Sequence, residues 1–425
     1  MFCTGWEHGV ATLDPALGGG LCSAVTGTPT SAAAANRSGT YGLLLNPSGA
    51  GEAIRYNTAT TGIRKVSARV YVKFVTSLPT TDVDLFSFND VTPAQIAWVD
   101  FRQSDSRIII QMNGGTATAI GPNPVTTGVW YRIDAQCDSS TTTGVIRGMV
   151  DGGTEGTATL GGFTAKDQRQ WHLGNVAACT MTLHMDDFIF GTYTVDSEYW
   201  GAGQVVGISP NADGAHDAAI PANSLELASG TDITTSTTTV NTQLNSVPIG
   251  DGTVYVLSNG TSTAKYAEVA FADLPAGAAR VNGARAMLAY LSVSTTGNNG
   301  ETQIKRGDTS TVVVELGSTV TTTDINQPGT IGTPWDMSEN PAVFYKGCMV
   351  PATAAGTDFG SLTVPMVNAI LGRVGNSTDA TPDPRWVDLM VEVDYVVASL
   401  SAARRDNPAM AVRDYDPWTT MGWLT

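Results

Sequence analysis

Apolar and polar residues alternate along much of the chain. Between residues 65 and 74, Val66, Ala68, Val70, Val72 and Phe74 share one parity, and Ser67, Arg69, Tyr71 and Lys73 share the other. This is the period-two pattern of a strand with one face on a core and one on solvent. The same pattern sets Tyr131, Ile133, Ala135 and Cys137 against Trp130, Arg132, Asp134 and Gln136. It returns near the end, where Val387, Leu389, Val391, Val393 and Tyr395 oppose Asp388, Met390, Glu392 and Asp394. Between such runs lie Asn113-Gly114, Asp151-Gly152, Asp251-Gly252, Asn259-Gly260 and Asn299-Gly300, pairs that admit the positive φ of tight hairpins.

Short strands, glycine turns and the lack of a long amphipathic pattern predict an all-β protein of antiparallel β-sandwiches. With 425 residues, the chain is too long for one ordinary domain and fits two. The pattern changes between Gly201 and Pro210, so the expected units are a sandwich over 1–200, a second over 207–398 and a C-terminal arm over 399–425. The two sandwiches are expected to fold separately, because contacts between domains are usually modest. The arm carries Trp418, Met421, Trp423 and Leu424 among few charges. A terminal extension stays ordered only where such side chains are buried, so the arm is expected to dock on another subunit.

Composition narrows the function. The formal net charge is −16, which argues against nucleic acid as a partner, since phosphate neutralisation needs clustered cations. No apolar run reaches membrane-spanning length and the first residues lack a basic region followed by an apolar one, so neither membrane insertion nor ordinary export is expected. The five cysteines and four histidines are scattered without CxxC or HxH spacing. They read as buried thiols and isolated imidazoles, with no cofactor implied.

The stretch from Met1 to Thr194 resembles the laminin G-like or concanavalin A-like jelly roll. The resemblance is carried by FCTGWE, SARVYVKF, GVWYRIDAQCDSSTTTGVIRGMVDG and MTLHMDDFIFG. The second half is similar to a β-rich module that follows such jelly rolls in proteins of tailed bacteriophages, on the segments ISPNADG, DGTVYVLSNG, YAEVAFADLP, VNGARAMLAYLSVS, TVVVELGS and PWDMSENPAVF. The resemblance implies a virion protein of head, neck, tail or baseplate, made in the host bacterial cytoplasm. Its partners would be copies of itself and other virion proteins.

Candidate chemistry is sparse. Some laminin G-like domains place oxygen ligands at one rim, which singles out Asp186 and Asp187 as a calcium candidate. Strand geometry would send adjacent side chains to opposite faces, so only one is expected at a given site. Asn211 to Asp217 holds a fragment of a calcium-loop spacing without its closing Glu, and is read as a turn. Tyr71, Trp98 and Trp130 are candidate rings of a sugar platform. There is no Gly-x-Ser-x-Gly elbow, phosphate-binding glycine loop or legible carboxylate pair, so no catalytic residue is assigned. The expected function is non-enzymatic assembly of a phage particle, with a carbohydrate-binding adhesin that contacts host surface glycans as the alternative.

Overall fold

The structure is a computed structural model that describes residues 2–10, 13, 22–57, 62–90, 92, 94–121, 124–217, 220, 225–247, 254–258, 265–291, 300–306, 312–317, 343–350, 363–376 and 385–398. The expected arm, with Trp418, Met421, Trp423 and Leu424, lies outside the described residues.

The first fifteen strands run in chain order from β1 (Phe2–Thr4), β2 (Ala24–Thr26), β3 (Thr30–Ala32), β4 (Gly42–Leu45) and β5 (Ser48–Asn57). There follow β6 (Lys65–Phe74), β7 (Val83–Asn89), β8 (Gln95–Arg102), β9 (Arg107–Met112) and β10 (Thr118–Ile120). The set closes with β11 (Tyr131–Asp138), β12 (Thr143–Val150), β13 (Gly156–Gly161), β14 (Gln170–Thr180) and β15 (Leu183–Thr192). They form two antiparallel sheets. The first has the order β13-β12-β11-β6-β15-β4-β3, with β1 also on β15; the second is β10-β9-β8-β7-β14-β5-β2.

The second sandwich begins with β16 (Gln204–Ile208), β17 (Pro210–Asp213), β18 (Leu225–Leu227), β19 (Val256–Ser258), β20 (Lys265–Phe271) and β21 (Ala278–Leu291). It continues with β22 (Gly300–Arg306), β23 (Val312–Gly317), β24 (Val343–Val350), β25 (Ile370–Asn376) and β26 (Arg385–Val397). Its sheets are β18-β19-β26-β21-β24, with β16 on β26, and β17-β20-β25-β22-β23. The all-β, two-sandwich fold expected from the alternation is the fold observed.

The apolar parity of β6 and β11 does line the first core, where Val66, Val70, Phe74, Ile133 and Cys137 are all buried. The opposite parity departs from expectation. Ser67, Arg69 and Tyr71 are 2%, 0% and 6% exposed, and Asp388, Glu392 and Asp394 are each 0% exposed. Arg69, Glu392 and Asp394 meet the other sandwich instead of solvent, and Tyr71 lies under the Arg37 guanidinium. β1 lies against β21 and β26, and β15 lies against β16. The apolar cluster of the first sandwich continues without a break into Val205, Met287, Ala289, Val387 and Met390 of the second.

The connection between the sandwiches also lies on this face. Trp200 Nε1 donates to the Ser67 carbonyl at 3.1 Å, the Ser197 amide donates to Gln136 Oε1 at 2.8 Å, and Tyr199 donates to Glu155 Oε2 at 2.7 Å. The expected separability therefore meets a physical obstacle: cutting after the first sandwich uncovers Arg69, Asp187 and Ile189 together. A fragment ending at Thr194 is expected to bind an apolar-surface dye and to unfold at a lower urea concentration than the full chain. An equal midpoint without dye binding would show that the seam adds nothing to the first sandwich.

Candidate functional site

The seam between the sandwiches gathers a set of buried ionisable side chains, among them Glu7, Arg69, Asp186, Asp187, Arg285, Glu392 and Asp394. Arg69 projects from β6 and pairs with Asp394 on β26, with both side chains fully buried. Its Nε and Nη2 also donate to the Asp187 carbonyl at 3.2 and 2.9 Å. Asn282 Nδ2 donates to Asp394 Oδ1 at 2.6 Å. One strand over, Arg285 meets Glu392 at 3.1 Å. The second sandwich's Glu392 then accepts from the chain's opening residues, with Thr4 Oγ1 at 3.1 Å and the Glu7 amide at 2.9 Å. The first segment of the chain is thereby tied to its last described strand.

Asp186 and Asp187 belong to this seam. The register of β15 against β6 shifts between Asp186 and Ile189, and Asp187 takes φ 53°, a left-handed conformation uncommon for a non-glycine residue. The bulge breaks strict alternation, so both carboxylates turn to the same loop, contrary to the expectation of opposite faces. Asp186 Oδ2 accepts from the Arg37 and Ser38 amides at 2.6 and 3.0 Å, and its Oδ1 accepts from the Asp187 amide at 2.7 Å. Asp187 accepts from the Arg37 guanidinium, the Ser38 hydroxyl and, at 2.5 Å, the Val205 amide. Protein donors thus engage all four oxygens. Among the described residues no group of three or more His, Cys, Asp or Glu side chains is placed to hold a metal ion.

Close approach explains two glycines. A Cβ on Gly203 would lie 2.3 Å from Arg69 Nη1, and one on Gly207 would lie 2.8 Å from Glu7 Cβ. The backbone leaving the first sandwich can pass this near the buried side chains only where no side chain intervenes.

The seam's charges balance. Arg37, Arg69 and Arg285 pair with Asp187, Asp394 and Glu392. Burial lowers the Arg69 pKa, but Asp394, Tyr71 and Asp187 outweigh it and hold the guanidinium above its ordinary value. Burial pushes Asp394 up while Arg69 and Asn282 pull it back. Three further carboxyls have no cation of their own. Burial, with Asp187 second, raises Asp186 well above the usual range, and burial does the same for Asp388 against the pull of the Leu389 amide. Burial, then the charges of Glu392 and Asp187, carries Glu7 to about 9 against the pull of the Thr40 amide. Of the three, Glu7 is uncharged at neutral pH.

The three aromatic candidates do not form one platform. Tyr71 lies in the seam, with the Arg37 guanidinium 3.5 Å from its ring centroid. Trp130 precedes β11 instead of lying in a strand, and packs between Lys73 Nζ at 4.7 Å and the His184 ring at 6.4 Å. Trp98 is on β8 in the second sheet, so it lies on the side of the sandwich away from the other two. In the Asn211–Asp217 segment, Asp213 accepts from the Asn241 amide at 2.7 Å and Asp217 pairs with Arg373. Cys3, Cys137 and Cys179 are buried free thiols, and Cys22 is buried as well. The side chain of Cys348 lies outside the described residues.

No protein-family model matches the sequence, and no curated protein matches it. Among solved structures, the chain is similar to "Cellulose induced protein, Cip1" at 12% identity, over 41% of this chain and 88% of that one, with a TM-score of 0.32. A heptameric SAP-like pentraxin from Limulus polyphemus matches at 12% identity over 36% and 76%, with a TM-score of 0.27. The catalytic domain of a glycoside hydrolase family 131 protein from Coprinopsis cinerea matches at 12% over 39% and 78%, with a TM-score of 0.29. Likeness at this level implies neither ligand nor activity.

Glu7 gives the seam a pH signature. Its folded pKa lies above its unfolded value of 4.5, so between these values the folded state binds the extra proton and stability falls as pH rises. Glu7→Gln removes that dependence. Urea unfolding across the range is expected to show the variant gaining on the wild type from about pH 4.5 to 9, by at most about 1.4 kcal/mol per pH unit. A constant difference across the range would place Glu7 in contact with water.

Proposed function

We propose that the chain is a non-enzymatic structural protein of a tailed phage particle that acts through contacts with copies of itself and with other virion proteins. The observation that carries this reading is the seam. Ionisable groups of the kind a catalytic cleft would present to a substrate are buried here between two sandwiches, with Arg69–Asp394 joining them and Arg285–Glu392 enclosed beside it on the second. A body fixed across such an interface suits a part that must hold position in an assembly. The phage setting is supported by the sequence resemblance of both halves, and the arm over 399–425 is assigned the role of docking on a neighbouring subunit.

A second reading, a carbohydrate-binding protein, is favoured by one observation: Trp98 is half-buried on the sheet face turned away from the seam.

The structural reading is tested by labelling intact particles with an antibody raised against the folded chain. Label at one fixed position per particle is expected, and chains ending at Ala398 should remain folded but be missing from the particle. Antibody binding only to soluble protein released on lysis would overturn the reading, and normal incorporation of the shortened chain would remove the arm's role.

A further inference from the structure

No further inference is drawn: the strongest candidate, the pair of facing carboxyls Asp84 and Asp100 where β7 begins and β8 ends, is an acidic cluster that carries no site, because the unpartnered Asp100 Oδ1 is closed to solvent and among the described residues no third cysteine, histidine or carboxylate is placed to share a metal ion with the pair.

Discussion

The arrangement of this protein depends on burying an ion pair, Arg69–Asp394, between the β-sheets of its two sandwiches. Removing a guanidinium and a carboxylate from water costs several kcal/mol per ion, and the attraction between them offsets this only where geometry is good and further hydrogen bonds satisfy what remains. Arg69 meets that condition through Asp394 and the Asp187 carbonyl, and Asp394 through Asn282. Glu392 meets it through Arg285, Thr4 and the Glu7 amide. Arg285–Glu392 and Asn282–Asp394 close within the second sandwich and Arg69–Asp187 within the first, whereas Arg69–Asp394 and the bonds from Thr4 and Glu7 to Glu392 close only when both sandwiches are in place. The bulge at Asp187, the glycines at 203 and 207 and the protonated Glu7 are consequences of fitting backbone and excess carboxyls around those pairs.

Such a seam fixes geometry more than it adds stability, because apolar residues of similar volume often replace buried ion pairs at no loss. What it contributes here is a single permitted registration of one sandwich on the other, since a slip along the strands would leave Arg69 and Asp394 buried without each other. The apolar continuation through Val205, Met287 and Met390 supplies the hydrophobic part of the contact.

Much of the fold was legible in the sequence. The alternation in residues 65–74, 131–137 and 389–395 identified strands and their core faces, because side-chain direction in a strand is local, whereas Val387, beside a register irregularity of β26, turns to the seam and Trp130 precedes its strand. It could not say what covers the other face. Arg69 and Asp394 stand 325 positions apart, and each, taken alone, has the pattern of a surface charge. The bulge that turns Asp186 and Asp187 to one loop depends on β6 and the Arg37–Ser38 loop, and nothing at 186–187 announces it. Trp98 was visible as a ring on a strand, but its place in the second sheet follows only from cross-strand register. Tyr71 and Trp130 had the same appearance in the sequence and lie on the other sheet's side.

Differential scanning calorimetry of the intact chain tests the central claim most directly, since two sandwiches that share the buried Arg69–Asp394 pair and a continuous apolar cluster are expected to unfold together. The account predicts one transition whose calorimetric and van't Hoff enthalpies agree. Two resolved transitions, each with the enthalpy of a single sandwich, would contradict it.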